Sequence, residues 1–363
     1  MTEQLQSKRI EGLDFARALA MFGMLIVNFK IIMGATGRGS GWLVGFTGLF
    51  EGRASATFVM LAGIGVALMT RNARNGSELS SIKENRTKLW KRSAFLFILG
   101  LLLYVAEWTG DILHYYGIYM LIASFLIVAS IKRMIILSSI ILFTSQVLQV
   151  TMNYFKGWNP DQPFMEYLDF WTIEGFLRNL LYNGYHPVFP WSCFFLLGMI
   201  LGRLNLSEKA IRNKMLFISI FSLITIEVLS QVLMRLSLTV LDVNSAEYLF
   251  QTGPIPPNIL YILSNSASTI IVIVASIYIV EKFAGQWLIS LIQTGQLTLT
   301  HYVSHVFIGV GILALLNRLE NQTLAFSLVF TLLFFVASIL FSVLWRKKFK
   351  RGPIEWVMRK MTN

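Results

Sequence analysis

Long apolar runs recur along this chain, at about 13–34, 54–70, 90–108, 112–131, 134–154, 187–204, 215–237, 258–280, 296–316 and 325–345. Each is long enough to cross the hydrocarbon of a bilayer as a helix. The pattern therefore predicts an all-α, polytopic membrane bundle of about 10 transmembrane helices. The first run reads as a span rather than a cleaved leader, because it is long and followed by many others. It also breaks the apolar pattern in an ordered way. At about 100° per residue, Asp14, Arg17 and Asn28 fall within roughly 60° of one another. Asp14 and Asn28 are then separated by about 21 Å along the axis. Ionisable groups at such depth are costly unless paired or wet, so this seam should face the protein interior or a cavity. Lys30 points roughly opposite and is expected to snorkel to the headgroups.

The connections give the organisation of one membrane domain over residues 1–363, without internal repeats. Residues 71–92 form a basic loop, 155–186 an aromatic and acidic loop, 346–363 a basic tail, and 283–295 a short helix before the ninth span. The acidic positions of the 155–186 loop (Asp161, Glu166, Asp169 and Glu174) alternate with aromatic ones and suit an interfacial cap over a cavity mouth.

Composition agrees with the membrane reading: 55% of residues are hydrophobic and 14% charged, and mean hydropathy is +0.63. The net charge of +12 does not indicate nucleic acid. With the N-terminus in the cytoplasm, 23 of the 31 Lys and Arg fall in cytoplasmic segments. That asymmetry follows the positive-inside rule and places both termini in the cytoplasm, as for a multi-pass protein of the plasma (inner) membrane. It would also suit an anionic cytosolic ligand or anionic lipid. The lone Cys193 excludes a disulfide framework.

Few side chains in the chain can do acid–base chemistry. His114 sits near Asp111 and Glu107 at the outer mouth of the fourth span, and His186 at the mouth of the sixth. Either imidazole can serve as a general base, and a carboxylate beside His114 can orient it. Each can equally be an interfacial polar residue. His301 and His305 lie one turn apart on a stripe with Thr294 and Thr298. Two His at this spacing can chelate a metal, but no carboxylate completes the set, so no metal is expected. Asp14 and Arg17 can pair across one turn, and Arg17 can alternatively contact a phosphate or carbonyl. Glu227 lies mid-span, a position that is a functional candidate by default.

The run LDFARALAMFGMLIVN resembles the opening helix of the transmembrane acyltransferase superfamily that includes the lysosomal heparan-alpha-glucosaminide N-acetyltransferase. FEGRASATFVMLAGIGVAL at 50–68, GDILHYYGIYMLI at 110–122, FFLLGMILGRL at 194–204, GQLTLTHYVSHVFIG at 295–309 and RGPIEWVMR at 351–359 resemble its YeiB-like bacterial branch, in the same order. The resemblance implies a transferase that passes an acyl group, acetyl above all, from cytosolic acyl-CoA as co-substrate to an extracytoplasmic glycan or small-molecule acceptor. On that reading Asn28, Asp111, His114, His186 and Glu51 are the catalytic candidates. Asp14, Arg17, Arg53, Tyr302 and His305 are the donor-binding ones, His305 through the family's Tyr-x-x-His pattern. Asn28 would donate to the oxyanion formed when the thioester is attacked. The lysosomal member carries its catalytic His eleven residues after the Asn, where this chain has Gly39.

The rival is a proton-coupled transporter or flippase of a small envelope metabolite or lipid-linked substrate, using the seam with Glu227, His301 and His305. Against it stands the lack of an inverted repeat. A structural partner of other envelope proteins ranks third. Membrane lipid is the surrounding partner in every case, nucleic acid in none, and a homodimer is compatible with each.

Overall fold

A computed structural model describes residues 9–76, 78–161, 164–283 and 285–362. Its helices are α1 (Glu11–Ile32), α2 (Gly41–Gly48), α3 (Arg53–Met69), α4 (Arg71–Gly76), α5 (Leu79–Val105), α6 (Leu113–Phe125), α7 (Ile131–Thr151), α8 (Ile173–Arg178) and α9 (Val188–Leu201). They continue with α10 (Lys209–Ser237), α11 (Val243–Phe250), α12 (Ile259–Lys282), α13 (Gln286–Gly295), α14 (Thr298–Ser304), α15 (Gly311–Leu315), α16 (Leu324–Arg346) and α17 (Pro353–Thr362). π-helical turns at Asn179–Asn183 and His305–Val310 extend α8 and α14.

By length and composition, seven described helices can cross a membrane, or eight if the pair 173–183 and α9, bent by 48°, is one span. Ten apolar runs were expected, and the difference has local causes. The third run shares α5 with a charged first half that belongs to the basic 71–92 segment. The fourth is cut to the 13 residues of α6, about 20 Å at 1.5 Å per residue. The sixth is the 14-residue α9, whose partner segment 173–183 lies inside the expected 155–186 loop. The short helix expected at 283–295 is α13.

The bundle is built around α1, which packs on α3, α12, α13 and α16. In their most apolar 18-residue stretches, α1 and α12 are 61% buried, whereas α10 is 11% buried. The former are core helices and α10 is a flank that leans on α12. Close approach of α3 and α9 rests on glycine. A Cβ at Gly63 would run into the carbonyl oxygen of Phe195, and one at Gly198 into that of Met60. Small residues at such a contact let two membrane helices meet backbone to backbone.

The last helix has a separate task. Both backbone N–H groups at the start of α14, Leu299 and Thr300, donate to Glu355 Oε1 on α17 at 2.8 and 3.1 Å. The Thr300 hydroxyl donates to Oε2, and Ile354 N–H donates back to that hydroxyl at 3.1 Å. A carboxylate there satisfies donors that a helix N-terminus leaves free. The 351–359 motif is thus a clamp on the helix that carries His301, Tyr302 and His305.

Candidate active site

Four elements bring one polar chain together near the Asn28 end of α1. The Asn28 Nδ2 atom lies 3.1 Å from His305 Nε2. His305 Nδ1 is bonded to the Tyr302 carbonyl oxygen. That oxygen can only accept, so Nδ1 carries the proton and Nε2 is the acceptor of the Asn28 amide. The Tyr302 hydroxyl donates to Asp111 Oδ1 at 3.2 Å and accepts from Ile112 N–H at 3.1 Å. The other oxygen of Asp111 accepts from the His114 backbone N–H at 3.0 Å and from His114 Nδ1 at 2.8 Å. The run therefore links Asn28, His305, Tyr302, Asp111 and His114, entering Tyr302 at its backbone carbonyl and leaving from its hydroxyl. Both imidazoles are held through Nδ1, that of His305 by the Tyr302 carbonyl and that of His114 by Asp111.

Local structure fixes this arrangement. Asp111 and His114 are three residues apart across the first turn of α6, so one carboxylate reaches both the ring and a free backbone donor. Both are fully buried. His114 Nε2 nevertheless has no hydrogen-bond partner. An imidazole oriented through one nitrogen and open at the other can take up a proton from a group placed there. On the other side of the bundle, the π turn begins at His305 itself. Such turns inside α-helices are frequent at functional sites. His301, four residues earlier, instead meets Ser342 of α16 at 2.7 Å, so the two imidazoles do not form a chelating pair. Among the described residues no three metal-ligating side chains come together.

A folded cap closes over His114. Phe170 stacks on Tyr104 at 3.5 Å between centroids, and both rings stand edge-on to the His114 ring. Arg178 holds Asp169 through both carboxylate oxygens, at 2.7 and 2.6 Å, and Glu174 at 3.2 Å. Two of the acidic residues in this loop are thus spent on holding the cap together. Against the expectation of a residue at the mouth, His114 is wholly enclosed. Tyr115 lies between it and His186, with ring separations of 3.8 and 6.0 Å. His186 Nδ1 also lacks a partner.

At the opposite end of α1, Asp14 is buried and accepts from Arg9 Nε at 2.7 Å, Arg17 NH1 at 2.6 Å and Gln296 Nε2 at 3.3 Å. The other terminal nitrogen of Arg17 points past Gly65 of α3, and its side chain is about a quarter exposed. Arg17 therefore turns a second terminal nitrogen toward Gly65 while Asp14 holds the first.

Four further placements correct or extend the sequence reading. Lys30 does not snorkel: it is 3% exposed and paired with Glu51, which arrives from the turn before α3. A buried ammonium requires such a partner. Glu51 is accordingly held by Lys30 rather than by either histidine. Arg53 lies 3.6 Å from Glu227 of α10, which also accepts from Thr252 at 2.9 Å and Ser264 at 2.6 Å. Gly39 is exposed, and a Cβ there would stand 3.0 Å from that of Leu324. The imidazole beside Asn28 comes instead from α14, across the bundle. Trp108, whose indole lies 3.4 Å from the Tyr302 hydroxyl and edge-on to the His305 ring, had no sequence signal beyond its place before the GDIL motif.

Comparison with known proteins agrees with this architecture. Residues 9–240 match the family model described as heparan-alpha-glucosaminide N-acetyltransferase, catalytic, and residues 205–363 match a family described as protein of unknown function (DUF418). The first match holds Asn28, Asp111, His114 and His186, the second Tyr302, His305 and Glu355, so the polar chain joins the two. The uncharacterized protein YeiB of Escherichia coli (strain K12) is 34% identical over 74 residues, which cover 19% of this chain and 18% of that protein. The chain belongs to the heparan-alpha-glucosaminide N-acetyltransferase catalytic family, as a YeiB-like member of that acyltransferase superfamily.

Proposed function

We propose that this protein is a membrane-embedded acyltransferase that takes an acyl group, acetyl above all, from cytosolic acyl-CoA and gives it to a hydroxyl or amine acceptor across the membrane. The observation that carries the reading is the buried Asp111–His114 pair, oriented at Nδ1 and unpartnered at Nε2. In the reaction, the acceptor proton passes to His114 Nε2 as the acceptor atom bonds the thioester carbonyl carbon. Asp111 stabilises the imidazolium that forms, as an orienting carboxylate does. The C–S bond then breaks, and the proton on His114 is returned to the departing thiolate. Asn28 holds His305, and through Tyr302 that pair supports Asp111 from behind. The second terminal nitrogen of Arg17 suits a phosphate or carbonyl of the donor, because a guanidinium offers several N–H groups in one plane.

The test is label transfer from radiolabelled acetyl-CoA in proteoliposomes, with calorimetric binding alongside. His114→Asn should keep acetyl-CoA binding and lower turnover by about 10²- to 10⁴-fold, the usual range for a lost general base. Turnover unchanged in His114→Asn would exclude the assignment. A proton-coupled carrier is the second reading, favoured by the 48° bend between the 173–183 segment and α9. A carrier would move its substrate without consuming acyl-CoA.

A further inference from the structure

The last helix clamps α14 with one face and leaves the other uncovered. Glu355, Met358 and Thr362 share one side of α17. Glu355 bonds to α14, Met358 packs against the core, and Thr362 is buried. Trp356, Val357 and Lys360 share the opposite side. Trp356 is 53% exposed, and the ammonium of the exposed Lys360 sits 5.2 Å from the centre of its ring.

This face stands directly where a span ends. The apolar helix α16 stops at Arg346, and residues 347–352 lead into α17. That turn is closed on itself: Trp345 Nε1 donates to the Arg351 carbonyl at 2.7 Å, and Arg346 donates to that of Lys350. Lys347, Lys348, Lys350 and Arg351 are exposed, as are Arg359 and Lys360. Among the described residues none of these cations forms an ion pair with a carboxylate. From Arg346 to Thr362 the sequence holds seven basic residues and one acidic one, Glu355, which is turned inward to Thr300.

At its far end α17 meets the basic half of α5. An open recess of about 510 Å³ there is lined by Lys83, Thr87, Lys88, Lys91 and Ser80 of α5, by Glu84, which Lys88 holds at 2.5 Å, and by Thr362. Arg359 stands near enough to Arg92 for their like charges to repel. Arg92 NH1 meets the Met69 sulfur, a weak acceptor, at 3.0 Å, and its Nε is buried without a partner. Docking of α17 therefore gathers positive charge at a place with little negative charge to balance it.

We propose that the outer face of α17, with the 347–351 turn and the α5 recess, binds the headgroups of anionic phospholipid, and that this lipid holds α17 docked on α14. Cations without carboxylate partners suit phosphate. The apolar side chains among them, Phe349, Trp356, Val357 and Met361, are all exposed. A soluble anion would leave these in water, whereas a bilayer surface covers them, and Trp beside Lys is the composition of a helix lying at that surface. A cluster of Lys and Arg just beyond a span is also how anionic leaflets are recognised. Phosphate beside Arg359 and Arg92 offsets the repulsion that opposes docking. Through Glu355 it thereby keeps Leu299 and Thr300, and the arm bearing Tyr302 and His305, in place. The surface does not depend on the transferase reading, but its effect on acetyl transfer does.

The experiment places the full chain in nanodiscs of phosphatidylcholine, alone or mixed with phosphatidylglycerol, and follows amide hydrogen exchange at Leu299 and Thr300 by mass spectrometry. A cation near an anionic surface contributes roughly fivefold, so phosphatidylglycerol should slow this exchange by at least about fivefold. The triple variant Lys347→Gln, Lys348→Gln, Lys350→Gln should lose most of that gain. Its exchange in phosphatidylcholine alone should match wild type, which separates lost lipid binding from misfolding. In wild type, a photoreactive phosphatidylglycerol should label residues 345–362 or 79–92. Equal exchange in the two nanodiscs, a gain that persists in the triple variant, or labelling confined to other segments would overturn the proposal. The same protection from inorganic phosphate or acetyl-CoA in phosphatidylcholine would assign the cations to a soluble anion and overturn it too. Lipid-dependent protection without acetyl transfer removes the transferase reading and leaves the surface; the reverse result removes the surface alone.

Discussion

Gly100 offers a way to disturb the Asp111–His114 pair without touching either residue. It lies on α5 where that helix backs onto the first turn of α6. A Cβ at this position would overlap the His114 backbone nitrogen and Asp111 Oδ2 and would stand 2.9 Å from His114 Cα. Non-bonded heavy atoms prefer a separation of about 3.5 Å, so clearing the nearest atom, the His114 nitrogen, means that Gly100→Ala must push α6 away by about 1 Å or more. Two consequences are separable. Overpacking of this kind costs about 1–3 kcal/mol, against which alanine in a helix interior regains about 1 kcal/mol over glycine. The net change in stability is therefore small, at most about 2 kcal/mol. Catalysis is far more sensitive, because a displacement of about 1 Å at a reacting group can lower turnover by about 10²-fold. Acetyl transfer in proteoliposomes should fall by that order while acetyl-CoA affinity is kept and thermal unfolding, followed by tryptophan fluorescence, moves by only a few degrees. Turnover within twofold of wild type would refute the argument, since it would mean that α5 does not set the position of the pair.

Other perturbations test separate contacts. Glu51→Gln leaves Lys30 buried without a counter-charge and should lower the unfolding temperature; adding Lys30→Met should restore most of it, and no recovery would show that the two do not interact. Asn28→Ala removes the donor on His305 Nε2 and is expected to lower turnover by at least about tenfold, the order of one lost catalytic hydrogen bond, at unchanged acetyl-CoA affinity. Glu355→Gln puts an amide where three donors converge and should cost about 1–3 kcal/mol; its check is thermal unfolding, and an unaltered transition would remove the clamp. Gly198→Ala should separate α3 from α9 and cost about 1–3 kcal/mol in thermal unfolding, because a Cβ there meets the Met60 carbonyl oxygen of the facing backbone; an unchanged transition would show that this contact can yield.

Much of the site was legible because its partners lie within one turn or one helix. The seam of Asp14, Arg17 and Asn28 follows from helical period alone, and the Asp111–His114 pair from a spacing of three. Tyr302 and His305 came from the resemblance, not from any periodicity. What could not be read depended on distant parts of the chain. Lys30 looked like a snorkelling residue because its partner lies 21 positions away across a turn. The joining of Asn28 to His305 spans 277 positions. Glu227 stood out as a buried charge, but its link to Arg53 needed the packing of α10 beside α3 and α12. The ten apolar runs and the seven or eight long apolar helices differ where apolar length and helix length part, at α5, α6 and α9. A usable signal was overlooked there: Gly198 and Gly202, four apart, are the small-residue pair that brings α9 onto α3.

The Glu355 clamp bears on the order in which the protein becomes competent. A chain is made from its N-terminus, so α1 and α6, with Asn28, Asp111 and His114, are in place while the segments beyond α14 are still being synthesised. The helix that delivers His305 and Tyr302 gains its anchoring carboxylate only after α16 has been inserted and residue 355 has left the ribosome. The polar chain therefore closes only after α17 has been made, and until that helix docks the nascent protein in the membrane lacks the anchored arm that brings His305 and Tyr302 to Asp111. Truncation ahead of Pro353 should for the same reason yield an inserted but inactive protein.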